Sequence, residues 1–584
     1  MDDLTHDPHH DGSPLYLSQE SAPLGGRVRV RVRTSAHDPV DAVWLRTVED
    51  AEPFFTACSV ETTEDATTWW TGEVRVRNPV QRYRFMVVTG DGFRWLNQAG
   101  VHDRDVTDAH DFRVTAYDGP PDWGRDAVVY QVFPDRFARS AAADDRPTPS
   151  WAVPARWTDP PVHQGPETPL QLYGGDLDGI VEHLDHLVSL GVDTVYLTPV
   201  FPGESNHRYN ASTFDAVDPL LGGDEAYRRL VDAAHERGLR VLGDLTSNHT
   251  GDTHEWFLRA TADPGSAERG FYYFDAAGNH EGWKGHDTLP KLDHLDEEVR
   301  RRMRGVVVRW LEFGLDGWRI DVANMTGRHA EVDVAHEVAR DLRAAATRVR
   351  PDALVLAEHG HDATGDLDGD GWHGTMNYYG FSFPVWEWLR DPDRPVPSFG
   401  LPVGVPRRDG VAMVGAMRDF AASFGWRAVT TSWNILGSHD SPRIRTTTGS
   451  AALHHVAAVL QFTLPGVPMV FAGDELGLEG TNGEDSRRTM PWQDRERWDT
   501  TTLQVYADLA RLRREHIALR RGGLRWVRVG ADDVGFLREH PDETLLVTVA
   551  RTGDATLPTP GPEVDEVLTV GSPEGPHARV WRTS

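Results

Sequence analysis

Residues Gly317–Asn324 read GWRIDVAN, and this run decides how the chain is read. Gly317–Ala323 has the apolar content of a buried strand. Alternation along a strand puts residues i and i+2 on one face, so Arg319 and Asp321 point the same way. A guanidinium beside a carboxyl lowers its pKa and keeps it charged. Just before this run, Glu297–Phe313 reads as a helix. Just after it come a second helix, Val334–Arg348, and another apolar strand, ALVLAEH (Ala353–His359).

The same alternation continues in both directions. Upstream lie VVYQVF (Val128–Phe133), a helix near Asp176–Leu190, TVYLTPVF (Thr194–Phe201), a helix near Glu225–Arg237, and LRVLGDLT (Leu239–Thr246). Downstream lie GTMNYY (Gly374–Tyr379), WNILGS (Trp433–Ser438) and VPMVFAG (Val467–Gly473). That makes eight candidate strands. Strands that are apolar on both faces and alternate with helices indicate a parallel sheet covered on both sides. Eight such units predict an α/β fold, a closed (β/α)8 TIM barrel, over residues 121–520.

The flanks differ in pattern. Residues 1–120 carry short alternating runs, including RVRVRVR (Arg27–Arg33), Ala42–Thr47, Thr71–Arg77 and Tyr83–Thr89, and predict a β-sandwich. YDGPPDWG (Tyr117–Gly124) marks the boundary. The segment of about 248–296 is too long for an ordinary loop and predicts a small insertion subdomain after the third strand. Residues 521–584 predict a C-terminal β domain. The Pro-rich stretches near 146–169 and 392–406 read as barrel loops.

The formal charge of −30 disfavours nucleic acid and anionic membrane surfaces as partners. Cys58, the one cysteine, excludes an internal disulfide framework and a cysteine-built zinc site. No window approaches the apolar length of a membrane span. The start, MDDLTHDPHHDGSPLYL, lacks the basic end and apolar core of a secretory signal, which points to a cytoplasmic enzyme.

Active sites of such barrels lie at the C-terminal ends of the strands. Four polar clusters fall there: DLTSNH (Asp244–His249), WRID (Trp318–Asp321), AEHGHD (Ala357–Asp362) and SHDSPR (Ser438–Arg443). Asp321 and Glu358 end consecutive strands and should be neighbours. Retaining glycosidases use two carboxyl groups about 5 Å apart. Glu358, partly desolvated among other carboxyls, suits a protonated acid, and Asp440 is a third carboxyl. His249 and His439 can donate hydrogen bonds to sugar hydroxyls. A single strand-end aspartate is usually a cap or turn residue. Four clusters in one register are not explained by capping.

DLTSNH, GWRIDVAN, AEH and NILGSHDSPR resemble the four ordered signatures of the α-amylase family, glycoside hydrolase family 13. GVPMVFAGDELGLEG and RRTMPW resemble its last strand and loop. The resemblance implies that Asp321 is the nucleophile, Glu358 the general acid/base and Asp440 the transition-state stabiliser. It places Arg319, His249 and His439 around the sugar and Tyr209 beneath it. Asp244, Asn248 and Arg443, within the same signatures, are expected to line the substrate site. LPKLD (Leu289–Asp293) and the N-terminal β domain resemble the neopullulanase, cyclomaltodextrinase and maltogenic amylase group. VVYQVFPDRFARS, YGGDLDGI and MNYYGFSFPVW resemble bacterial maltodextrin glucosidase more closely.

That resemblance implies hydrolysis of short maltodextrins, with oligosaccharide as the partner and a homodimer formed through the N-terminal domain. The alternatives are a cyclomaltodextrinase-type hydrolase, or a transglycosylase or glucoside isomerase with the same residues. A non-catalytic barrel, as in transporter heavy chains, lacks this carboxylate set. The loop HRYNASTF (His207–Phe214) departs from the family's HKYDT-x-DY and leaves specificity open. No cofactor is required. Calcium stays open, because some relatives bind it after the first strand; here that loop reads SAAADDRPTP, with Asp144 and Asp145 and no Asn, and Asp176 as a remnant ligand. Trp283, Trp372 and Trp433 lie near the expected site loops.

Overall fold

The computed structural model describes residues 7–64, 66–397, 401–553, 557 and 564–583. Within it, eight parallel strands form one sheet: Val129–Val132, Thr194–Leu197, Arg240–Thr246, Gly317–Asp321, Leu354–Ala357, Gly374–Thr375, Trp433–Ile435 and Val467–Phe471. The eighth pairs with the first through Val129 and Met469. Between the sixth and seventh, a parallel bridge from Met376 to Trp433 stands in for a ladder, so the barrel is nearly closed there. Each expected strand is present, but GTMNYY is extended only at its start. Asn377 accepts a hydrogen bond from the Gly380 amide, and a π-helical turn, Tyr378–Ser382, replaces the rest.

Helix Glu297–Phe313 shows why the covering helices form where they do. The Asp296 side chain accepts from the Glu298 amide as an N-cap, a contact worth about 1 kcal/mol. Val299, Met303, Val306, Val307, Trp310 and Leu311 recur at helical spacing and are buried. Gly314, with φ of 133°, ends the helix. The helix expected over Asp176–Leu190 is instead two, Leu177–Glu182 and Leu184–Leu190. The break falls at His183, whose backbone leaves the helical region (φ −117°, ψ 9°) and whose ring Nδ1 lies 3.0 Å from the Gly179 carbonyl.

The N-terminal unit has a three-stranded and a six-stranded antiparallel sheet face to face. Arg27–Ser35 pairs with Thr67–Arg75, buries Val28, Val30 and Val32, and turns its arginines outward. Those arginines face acidic side chains within this chain. Arg27 pairs with Glu73. Arg31 lies 2.7 Å from Glu61 and 4.1 Å from the Trp69 ring centre. Arg33 lies 2.6 Å from Glu539 of the C-terminal sheet, which also holds Arg525 at 3.0 Å. A row of like charges is costly unless opposite charges face it across the strands, and here glutamates supply them.

The C-terminal sheet contains Gly523–Val529, Asp533–His540, Glu543–Ala550, His577–Arg582 and Asp565–Gly571. The insertion after the third strand holds a helix, Glu255–Ala262. It returns along the barrel mouth through bridges from His249 to Lys291 and from Tyr272 to Leu292. Residues 398–400 of the second Pro-rich stretch lie outside the described residues. Among the described residues no helix is long and apolar enough to cross a membrane.

Candidate active site

Arg319 is the hub of the strand-end cluster. It is fully buried, and its guanidinium meets three carboxyl groups. Nη1 donates to Asp244 and Asp321, each at 2.8 Å, and Nη2 lies 2.9 Å from Glu358 Oε1. The third, fourth and fifth strands are consecutive in the barrel, which is why residues 244, 319, 321 and 358 converge. One guanidinium thus contacts both the Asp321 and the Glu358 carboxyl groups.

Asp321 is charged less readily than the sequence suggests. Burial pushes its carboxyl well above the usual range. Arg319 pulls the other way, while Glu358 and Asp244 add to the rise. Burial also pushes Asp244 up to about 6, against Arg319 and hydrogen bonds from Tyr196 and Tyr209. One cation shared by three carboxyls cannot neutralise them all, so the cluster favours holding a proton.

Val322 follows the nucleophile candidate with φ of 45°, a region a β-branched residue rarely enters. The bend aims its amide at Glu358, whose Oε2 accepts at 2.9 Å. Local strain of this kind persists where surrounding contacts enforce it. The neighbouring Ala323 amide donates to the Glu358 carbonyl, and the Glu358 amide to the Ile320 carbonyl.

Across the mouth, His439 and Asp440 form a second group. His439 Nε2 lies 2.8 Å from the Tyr209 hydroxyl and 3.1 Å from Asp440 Oδ2. The His439 and Tyr209 rings are nearly parallel, 7° apart. The Tyr209 hydroxyl donates to Asp244 at 2.8 Å, joining the two groups. Burial, then Arg487 and Arg319, push the His439 pKa well below the usual range, so the ring is neutral. Arg487 donates to Asp440 Oδ1 at 3.0 Å and to the His439 carbonyl at 2.8 Å.

His249 and Asn248 stand beside this centre. Burial, with Lys291, pushes His249 down to about 3, and its Nε2 has no partner among the described residues. Asn248 is fully buried and accepts from Lys291 Nζ at 2.6 Å, so it supports the loop from behind. Arg443 is also a support. It is 1% exposed and donates to Asp474, the Ser486 carbonyl and the Ala472 carbonyl. With those partners it ties the seventh and eighth strand loops together, which is not the sugar contact expected of it.

Of the three tryptophans, Trp283 lies near a site residue, with its ring 5.9 Å from His249. Trp433 is fully buried against Tyr196, and Trp372 is 3% exposed. In HRYNASTF, Ala211 and Phe214 point into the core, Phe214 against Phe201 at 5.4 Å. Much of that loop's departure is therefore packing. The calcium candidates are also committed elsewhere. Asp176 accepts from Ser140, Gly179 and Arg146 Nη1, the last at 2.6 Å, and Asp144 pairs with Arg139. Each of these two carboxylates therefore faces a guanidinium.

Gln131, Tyr196, Lys291 and Arg487 are absent from the expected set. Arg487 lies in RRTMPW, so the motif was visible although its partner was not. A separate cavity of about 190 Å³ lies among Phe381, Met417, Phe424, Trp426 and Trp526, on the outside of the barrel, and none of the strand-end carboxyls lines it.

A nearly closed parallel barrel with a carboxyl cluster at its strand ends is the architecture of a glycoside hydrolase. The model for the α-amylase catalytic domain matches residues 131–497. The chain belongs to the α-amylase family, glycoside hydrolase family 13, and acts on α-glucans. It is 33% identical to neopullulanase 2 of Thermoactinomyces vulgaris over 74% of this chain and 71% of that protein. It is 29% identical to a cyclomaltodextrinase of a Bacillus species over 90% of this chain and 92% of that one. Among solved structures, a cyclic α-maltosyl-(1→6)-maltose hydrolase from Arthrobacter globiformis matches with TM-score 0.66 and 32% identity, covering 74% of this chain and 92% of that one.

Proposed function

We propose that this enzyme hydrolyses α-glucosidic bonds of short or cyclic maltooligosaccharides with retention of configuration. The observation that carries the reading is Asp321 and Glu358 held by the single guanidinium of Arg319. Asp321 attacks the anomeric carbon while Glu358 protonates the departing glycosidic oxygen, giving a glycosyl ester. Water, deprotonated by Glu358, then cleaves the ester and releases the α-anomer. Asp440, positioned by Arg487, stabilises the positive charge that develops on the sugar ring.

The relatives favour a cyclomaltodextrinase or neopullulanase type over the maltodextrin glucosidase that the sequence suggested first. A crowded mouth supports short substrates. Trp157 donates to the Met490 carbonyl at 2.9 Å, and Asn482 to the His163 carbonyl at 3.2 Å. These bonds join the first Pro-rich loop to the loop carrying Arg487, which supports a mouth narrowed on that side.

Proton NMR on maltotriose is expected to show the α-product first, and kcat/KM on β-cyclodextrin and maltotriose should exceed that on soluble starch. A β-product appearing first would overturn retention. Starch preferred by about tenfold, a 1.4 kcal/mol difference in transition-state binding, would mean an open groove. An inert cyclodextrin with glucose released from maltotriose would restore the glucosidase reading.

Self-association through the N-terminal unit belongs to the same proposal. Phe55 and Phe93 are 47% and 49% exposed and flank Trp95 on the outer face of the six-stranded sheet. Contiguous exposed aromatics mark association surfaces. Sedimentation should show a dimer at micromolar concentration, and Phe55→Ser with Phe93→Ser should give a monomer. A wild-type monomer under the same conditions would remove this part. A cytoplasmic site of action, consistent with a single cysteine, completes the reading.

A further inference from the structure

Gln131 sits on the first barrel strand, is fully buried, and has no place in the double displacement itself. Its Nε2 lies 2.8 Å from His439 Nδ1. We infer that Gln131 is a positioning residue that holds His439 in its neutral Nε2–H tautomer. The inference rests on the cluster around Arg319 being the catalytic centre.

The hydrogen bonds permit one consistent assignment. The single Tyr209 hydroxyl hydrogen goes to Asp244, an ionisable carboxyl and the stronger acceptor. The Tyr209 oxygen then faces His439 Nε2 as an acceptor. Asp440 Oδ2, 3.1 Å from the same nitrogen, is also an acceptor. Two acceptors around Nε2 require that it carry the proton. The ring is neutral, so Nδ1 is bare and must receive a hydrogen bond. Gln131 Nε2–H supplies it.

The consequence reaches the sugar. A ring fixed with Nε2–H can donate to a substrate hydroxyl when that hydroxyl displaces the Tyr209 contact. The other tautomer presents a bare nitrogen there and places two acceptors in opposition. Hydrogen bonds to sugar hydroxyls strengthen in the oxocarbenium-like transition state, so the cost should fall in kcat more than in KM.

The test uses Gln131→Glu, Gln131→Met and Asp321→Asn in the full chain, with circular dichroism and melting as the fold control. A carboxylate at 131 accepts from Nδ1–H and so raises the His439 pKa. Above that pKa the ring keeps its proton on Nδ1 and loses the Nε2 donor; below it the imidazolium carries both. Gln131→Glu is therefore expected to lose kcat as pH rises, moving its optimum to lower pH than wild type.

Gln131→Met should lose kcat by about tenfold to a hundredfold, the range for a displaced catalytic group, with no shift in optimum. If Gln131→Glu fails to fold, Gln131→Met still decides. A folded Gln131→Met within twofold of wild type, or a folded Gln131→Glu with an unmoved pH profile, overturns the inference. Should Asp321→Asn stay active, the catalytic centre itself is misplaced, which is a different failure.

Discussion

Asp321→Asn is expected to lower kcat/KM on maltotriose by at least about 10⁴-fold, because an amide cannot form the glycosyl ester. The substitution keeps the side chain's size and its place at the end of the fourth strand. Arg319 retains Asp244 and Glu358 as partners, so the hub stays paired. One negative charge fewer in a buried cluster relieves like-charge repulsion, and the melting temperature should not fall. Residual activity above a few per cent, in protein checked by mass spectrometry for deamidation back to Asp, would show that another group is the nucleophile.

Glu358→Gln should lower kcat/KM on maltotriose by about 10²- to 10⁴-fold, the range for a lost general acid. The loss should shrink on an activated substrate such as α-maltosyl fluoride, whose leaving group needs no proton. Azide should then speed turnover and give the α-glycosyl azide, since the second step lacks its general base. Equal losses on both substrates, with no rescue by azide, would assign the acid/base role elsewhere.

Period-2 alternation and apolar runs were enough to place Asp244, Arg319, Asp321 and Glu358 on or just after their strands, with Asp440 in the loop after the seventh, because which face a strand residue occupies is a local property. The barrel followed from the count of alternating units, and the chemistry from which residue types sit in that register. Other features were not legible. The backbone bend at Val322, the helix break at His183 and the π-helical turn at Tyr378 each go against local pattern, because packing around them decides the conformation. Arg443 and Asn248 sit inside recognisable signatures yet bond to loops behind the site.

Electrostatics was the part that only the tertiary structure could decide. From sequence, Arg319 has one carboxyl two residues away and should keep it charged. In the fold it has three, in a buried cluster, and burial outweighs its pull on Asp321. Gln131 and His439 lie 308 positions apart and meet only because the first strand closes against the eighth. Charge and hydrogen bonding act through space and depend on exclusion of water, so they are set by which surfaces the barrel brings together. Alternation is set by the covalent chain alone, which is why the sequence shows the residues and not their states.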